Sequence, residues 1–174
     1  MIERLIEEVE GCLKNGLYMS ALTTVLTLPD ICGKAEFPEL GNGERYRKWL
    51  DQYVCSQDFN IIRSEEIYKL RNSMLHQGAP TTKKKGENID EFELLIQSPN
   101  RANKMMQSRY QDFDKCVLSV NILSLYDIIC SASAKYYANN KEKFDFINYR
   151  LVNTDYHTAK MFRLSDEAIK IKFN

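Results

Sequence analysis

Apolar residues recur at helical spacing in the first part of the chain. Five apolar residues fall on a single face of an α-helix: Ile2, Leu5, Ile6, Val9 and Leu13. Asn15-Gly16 follows as a typical helix end. The next apolar segment, residues 17 to 28, stops at Pro29, where we expect a bend or the start of a short new helix. The pattern therefore predicts two helices in this region.

Two further helices are predicted between residues 44 and 77. The first runs from Glu44 to about Val54 and has one aromatic and apolar face, formed by Tyr46, Trp49, Leu50 and Tyr53. The second begins at Ser64, a typical N-cap residue, and extends to Gln77, because Gly78 and Pro80 end it. We expect Trp49 to lie in the core.

The second half of the chain combines a short strand with a long helix. The pattern from Phe92 to Ile96 predicts a strand, and an apolar run from about residue 112 to 138 predicts a buried helix. Residues 139–174 show neither a clear helical nor a clear strand periodicity, so we treat them as a C-terminal extension without assigned structure. The expected fold is mainly α, a single helical domain over residues 1–174 with a short β element near residues 91–97.

Composition narrows the classes of function. The chain has 24 basic and 24 acidic residues, so it lacks the global positive field of a non-specific nucleic-acid binder, and any RNA contact must be local. Its five cysteines are widely spaced, which predicts reduced core residues of a cytoplasmic protein.

The first eight residues are unlike a signal peptide, and the apolar runs are too short for a membrane span, so no membrane partner is expected. No motif indicates a metal or a cofactor.

The residues best suited to chemistry lie in one stretch, Arg71-Asn72-Ser73-Met74-Leu75-His76. At about 100° per residue Arg71 falls inside the apolar arc of its helix, and Asn72 and His76 lie together on the edge of that arc. A guanidinium there needs a partner, which is an internal carboxylate such as Asp30 or Asp51, a phosphate, or the facing subunit of a dimer. His76 lies in the last turn, where the helix dipole favours its imidazolium form near physiological pH.

An Arg, an adjacent polar residue, and a His after four intervening positions resemble the R-x4–6-H motif of the HEPN superfamily. The surrounding residues 28–33, 45–49 and 68–78 also look like a group of small uncharacterised bacterial proteins of this type. A toxin branch of the superfamily has a Tyr two residues after the His, where a partner nucleotidyltransferase modifies it. This chain has Gly78 there, so that regulation is not expected.

The resemblance implies a HEPN helical bundle and a metal-independent endoribonuclease that works as a homodimer. His76 would act as a general base on a ribose 2′-OH or as an acid toward the 5′-oxygen, while Arg71 holds the phosphate. Asn72 would orient the imidazole or contact a phosphate oxygen. The products would be a 2′,3′-cyclic phosphate and a 5′-OH. The expected setting is defence or stress response, with an antitoxin or another regulatory protein as a possible partner.

Less specific interpretations stand beside this one. His76 can serve only as a helix cap, and the fold can be a catalytically silent HEPN-like module that binds a nucleotide, a nucleic acid or a protein. A structural or scaffold protein is a third reading. Five basic residues are candidate RNA contacts or simply solvated: Arg45, Lys48, Lys83, Lys84 and Lys85. Tyr46 and Trp49, which alternate with the first two, are candidates for stacking on bases.

Overall fold

The computed structural model describes residues 1–55, 62–77, 89, 91–97, 107–112 and 115–146. Met1–Phe144 form one compact unit, and Asp145–Asn174 form a second unit of which only residues 145 and 146 are described. The described part is mainly helical with a short β element, which confirms the predicted fold class. None of its helices is both long enough and apolar enough to cross a membrane.

Five α-helices and three strands make up the described part of the chain. The helices are α1 (Ile2–Lys14), α2 (Tyr18–Glu36), α3 (Asn42–Tyr53), α4 (Ser64–Asn72) and α5 (Ile122–Asn139). The strands are β1 (Glu91–Leu95), β2 (Gln107–Asp112) and β3 (Lys115–Asn121). A π-helical turn, Ser73–Gln77, follows α4, and a 3₁₀ turn, Lys141–Phe144, follows α5.

The second helix does not end before Pro29 as predicted, because α2 continues through this residue to Glu36. Proline lacks the N–H that would donate to the preceding turn, and it normally ends or kinks a helix. Here Leu28 and Cys32 on either side of it are fully buried, so packing on neighbouring helices outweighs the lost hydrogen bond. The hydroxyl of Tyr46 also donates to the carbonyl of Leu26 at 3.1 Å, which fixes α2 against α3.

A three-stranded sheet has β3 in the middle, with β1 parallel to it and β2 antiparallel. Strand β1 confirms the predicted element, and Phe92 lies opposite Leu118 in its register with β3. The start of the predicted long helix is wrong, since residues 115–121 form β3 and α5 begins only at Ile122. Asn121 separates the two elements, because its side chain accepts a hydrogen bond of 3.1 Å from the backbone N–H of Leu123.

The aromatic face of α3 packs into the core as predicted. Tyr46 and Trp49 are fully buried, and the ring of Trp49 stacks on that of Tyr53 with centroids 5.4 Å apart. Helices α2 and α3 approach closely at Gly33, where a Cβ atom would lie 2.9 Å from the carbonyl oxygen of Arg45. This contact brings the backbones of the two helices together beside the segment of α2 that carries Asp30.

The five cysteines are free thiols, as the sequence predicts. Cys32 and Cys130 are buried, and Cys12, Cys55 and Cys116 are half-buried. Burial raises the pKa of the Cys32 thiol to about 12. A thiol protonated at neutral pH is a poor nucleophile, so Cys32 is a packing residue.

Candidate functional site

Helices α2 and α4 are joined by an ion pair between Asp30 and Arg71. Nε and Nη2 of Arg71 donate to the same carboxylate oxygen, Oδ2 of Asp30, at 3.0 and 2.8 Å. Both side chains are about four-fifths buried, with exposed fractions of 19% for Arg71 and 21% for Asp30. An internal carboxylate is therefore a partner of Arg71, which was one of the three kinds of partner considered from the sequence.

Asn72 contacts the other side of the same guanidinium. Its Oδ1 accepts a hydrogen bond of 3.0 Å from Nη1 of Arg71. All three nitrogens of the guanidinium thus donate to described partners, two bonds going to Asp30 and one to Asn72. The structure brings Arg71 and Asn72 together, and it gives Asn72 the task of orienting the arginine.

Two tyrosines border the ion pair. The rings of Tyr46 and Tyr68 lie 5.3 Å apart between centroids. Burial raises the pKa of the Tyr46 phenol well above its ordinary value; the charge of Asp30 raises it further, and that of Arg71 opposes the rise. The guanidinium carbon of Arg47 lies 5.0 Å from the centroid of the Tyr68 ring, at the distance of a cation–π contact. The ion pair therefore sits in a partly aromatic setting with little water.

A π-helical turn carries the second half of the motif. The sequence predicts an α-helix up to Gln77, but α4 ends at Asn72 and residues 73–77 form a π-turn. Its hydrogen bonds join residues five apart, so each residue rotates the chain by about 85° instead of the α-helical value of about 100°. His76 is the fourth residue of this turn, so its backbone does not follow the α-helical spacing from Arg71 and Asn72. The side chain of His76 lies outside the described residues.

Of the five basic residues proposed for RNA contact, the structure describes Arg45 and Lys48, which both lie on α3. Arg45 is half-buried, and its Nε is buried without a hydrogen-bond partner in the described part of the chain. Lys48 is exposed and places Nζ 4.4 Å from the centroid of the Phe37 ring. Because the rings of Tyr46 and Trp49 are fully buried, neither is available to stack on a base. The three predicted contacts Lys83, Lys84 and Lys85 lie outside the described residues.

The sequence did not point to two other features. The carboxylate of Glu36 accepts hydrogen bonds from Tyr53, Tyr136 and Lys143 at the end of α2. A cavity of about 460 Å³ lies between the end of α3 and α5, and its lining includes Tyr53, Asp127, Ser131, Lys135, Tyr136 and Asn139. The four-residue spacing from Asp127 to Asn139 marks that face of α5 in the sequence. Neither Arg71 nor Asn72 lines the cavity.

The described side chains of this arrangement offer a fixed cation, the guanidinium of Arg71. A guanidinium held on three nitrogens presents a defined plane, which suits a phosphate, and the backbone of His76 follows within two turns. Comparison of the chain with protein-family models, curated proteins and solved structures gives no significant match.

Proposed function

We propose that the protein is a metal-independent endoribonuclease of the HEPN type, with Arg71, Asn72 and His76 as its catalytic residues. One observation supports this proposal above the others. The guanidinium of Arg71 is oriented by Asp30 and Asn72 directly before a π-turn that contains His76. π-turns occur frequently at functional sites, and this one follows α4 directly and contains His76.

Cleavage in this proposal uses the 2′-OH of the RNA as the nucleophile. His76 removes the proton of that hydroxyl, the 2′-oxygen bonds to phosphorus, and the bond from phosphorus to the 5′-oxygen breaks. A second imidazole, in its charged form, gives a proton to the 5′-oxygen. Arg71 stabilises the negative charge that develops on the phosphoryl oxygens. The products are a 2′,3′-cyclic phosphate and a 5′-OH end.

A homodimer would supply the second imidazole. One neutral His76 serves as the base and one charged His76 as the acid, and a two-fold axis beside the motif brings both to one phosphate. This assembly through the motif helix is part of the proposal, as are a cytoplasmic location, a role in defence or stress, and control by an antitoxin or another regulatory protein.

The test is an RNA cleavage assay in EDTA. Purified wild type should cut a mixed-sequence oligoribonucleotide and leave 2′,3′-cyclic phosphate ends, which mass spectrometry identifies. His76→Ala should lower the rate by at least about a hundredfold, the scale of a general acid–base contribution. His157→Ala is the matched control, because His157 is the other histidine of the chain. Equal cleavage by wild type and His76→Ala would contradict the proposal.

A second candidate function is a silent module that binds a nucleotide or nucleic acid. The ion pair with Asp30 favours it, since a paired guanidinium attracts phosphate less strongly than one without a carboxylate. In that case wild type and His76→Ala should both bind the oligoribonucleotide in a fluorescence anisotropy titration, and neither should cut it.

A further inference from the structure

Asp30 lies 41 residues before Arg71 and outside the motif, yet it makes two hydrogen bonds to the arginine. We propose that Asp30 is a positioning residue for the reaction, which fixes the guanidinium of Arg71 in the plane from which it contacts the phosphate. This inference rests on the proposed ribonuclease function and deepens it, because it assigns a residue that no motif spacing identifies.

The hydrogen-bond pattern restricts the arginine in a specific way. Asp30 receives the Nε and Nη2 edge of the guanidinium, and Asn72 receives Nη1. Contacts on both sides prevent the planar group from turning about its last side-chain bonds. Without such contacts, an arginine side chain stays flexible until substrate binds. Misplacement of a catalytic group by about 1 Å can lower a rate about a hundredfold. Asp30 holds the guanidinium of Arg71 in place before substrate binds.

The carboxylate is itself held by the core. Asp30 is largely buried on α2, one turn after Leu26, whose carbonyl accepts the Tyr46 hydroxyl at 3.1 Å. One turn later, Gly33 lies against the backbone of Arg45 on α3. Helix α2 is thus fixed against α3 on both sides of Asp30, so the position of the carboxylate is set by packing between helices.

The competing explanation is that the ion pair of Asp30 and Arg71 only holds α2 and α4 together. The chain offers a matched control for this explanation. Arg47 on α3 pairs with Glu65 on α4, with Nε of Arg47 3.2 Å from Oε2 of Glu65. This pair also joins α4 to a neighbouring helix, but its acid is not the partner of Arg71. Glu65→Gln removes an interhelical ion pair at α4 while leaving the Asp30 contact in place.

The experiment measures kcat and KM for cleavage of one oligoribonucleotide in EDTA by full-length wild type, Asp30→Asn and Glu65→Gln. Asp30→Asn should lower kcat by about ten- to a hundredfold with a smaller change in KM. Glu65→Gln should leave both within about twofold. Asp30→Glu keeps the charge on a longer side chain, and it should recover part of the lost kcat. In an Arg71→Lys background, Asp30→Asn should have no further effect on kcat.

A second readout does not depend on activity. The Nε–H proton of Arg71 should give a resolved ¹⁵N–¹H NMR signal that disappears in Arg71→Lys, because its hydrogen bond to Asp30 slows exchange with water. Asp30→Asn should broaden or shift this signal, and Glu65→Gln should preserve it. Should Asp30→Asn fail to fold, Asp30→Glu gives the same comparison of kcat and signal.

The outcomes separate this inference from the proposed function. If wild type and His76→Ala both fail to produce cyclic phosphate ends, the ribonuclease proposal fails and the catalytic role of Asp30 falls with it. If wild type cleaves and His76→Ala does not, but Asp30→Asn keeps the wild-type kcat, the ribonuclease stands and the positioning role is overturned. An Arg71 signal unchanged in Asp30→Asn overturns it as well.

Discussion

The hydroxyl of Tyr136 donates a hydrogen bond of 2.8 Å to the carboxylate of Glu36, which joins the last part of α5 to the end of α2. The same carboxylate accepts from Tyr53 on α3 at 3.0 Å and from Lys143 in the 3₁₀ turn at 2.6 Å. Four elements therefore meet at one acidic side chain that is 16% exposed. Its neutralisation should loosen all of these contacts together.

Glu36→Gln should lower the free energy of unfolding by about 1–2 kcal/mol at pH 7, because hydrogen bonds to a charged acceptor become neutral ones. Glu39→Gln, a change at an exposed acid nearby, should have an effect within about 0.5 kcal/mol. Urea denaturation monitored by circular dichroism measures both. An equal loss of stability in the two variants would show that Glu36 has no special role.

The contribution of Glu36 should also depend on pH. Desolvation raises the pKa of Glu36, but the hydrogen bonds from Lys143, Tyr136 and Tyr53 outweigh it, and the pKa falls below its ordinary value of 4.5. A depressed folded-state pKa means that the stabilisation is complete above pH 4.5 and is lost as the pH falls through the folded-state value. The stability difference between wild type and Glu36→Gln should shrink across that acidic range. A difference that stays constant down to pH 3 would argue against this linkage.

Two glycines of the helical core should respond to alanine in opposite directions. A Cβ at Gly33 would lie 2.9 Å from the backbone oxygen of Arg45, so Gly33→Ala must separate α2 from α3 and should cost about 1–3 kcal/mol. A Cβ at Gly11, in the last turn of α1, would meet nothing within 4 Å. Gly11→Ala should therefore stabilise the protein by about 0.5–1 kcal/mol through helix propensity. Thermal denaturation of both variants checks the pair, and a Gly33→Ala variant as stable as wild type would contradict the close helix contact.

The sequence predicted the parts of the fold that depend on local signals. Helix α1, with the stop at Gly16, and the buried face of α3 follow from spacing over a few residues, and both are found. Gly16 adopts a φ of +70°, a conformation that glycine adopts without strain. Strand β3 was missed because a short, mostly apolar run such as 116–120 fits a buried strand and a buried helix equally well.

The candidate site was predictable only in part. The sequence identified Arg71, Asn72 and the need of the arginine for a partner, because a guanidinium in an apolar arc must be compensated. The sequence contains several acids suited to pair with Arg71. Only tertiary packing shows that the partner is Asp30, which lies 41 positions away. The π-turn at residues 73–77 has no sequence signal that spacing rules detect, since its extra residue per turn is a property of the folded helix.

Asn121 lies at the junction of β3 and α5, where a continuous helix was predicted. Its side chain makes two contacts there. Oδ1 accepts from the N–H of Leu123 at 3.1 Å, and Nδ2 donates to the carbonyl of Gln97 at 2.8 Å. Asn121→Ala should lower the free energy of unfolding by about 1–2 kcal/mol. Asn121→Ser retains a capping oxygen but not the amide donor, and it should lose roughly half as much. Equal losses in a urea titration would mean that the cap contributes little.

The stability of the Asp30–Arg71 pair can be measured apart from catalysis by a double-mutant cycle. Removal of either partner leaves a largely buried charge, so Arg71→Ala and Asp30→Ala should each cost about 2–4 kcal/mol. The double variant should cost less than their sum, which gives a coupling energy of about 1–3 kcal/mol. The more exposed pair of Arg47 and Glu65 should show a coupling below about 1 kcal/mol.

Urea denaturation of the four variants in each cycle gives these values. Coupling of Asp30 to Arg71 no larger than that of Glu65 to Arg47 would mean that the ion pair does not constrain the arginine. A large coupling has a practical consequence for the kinetic experiments. Loss of activity in Arg71→Ala would then combine unfolding with the loss of a phosphate contact, and Arg71→Lys at a temperature where it remains folded is the variant that separates the two.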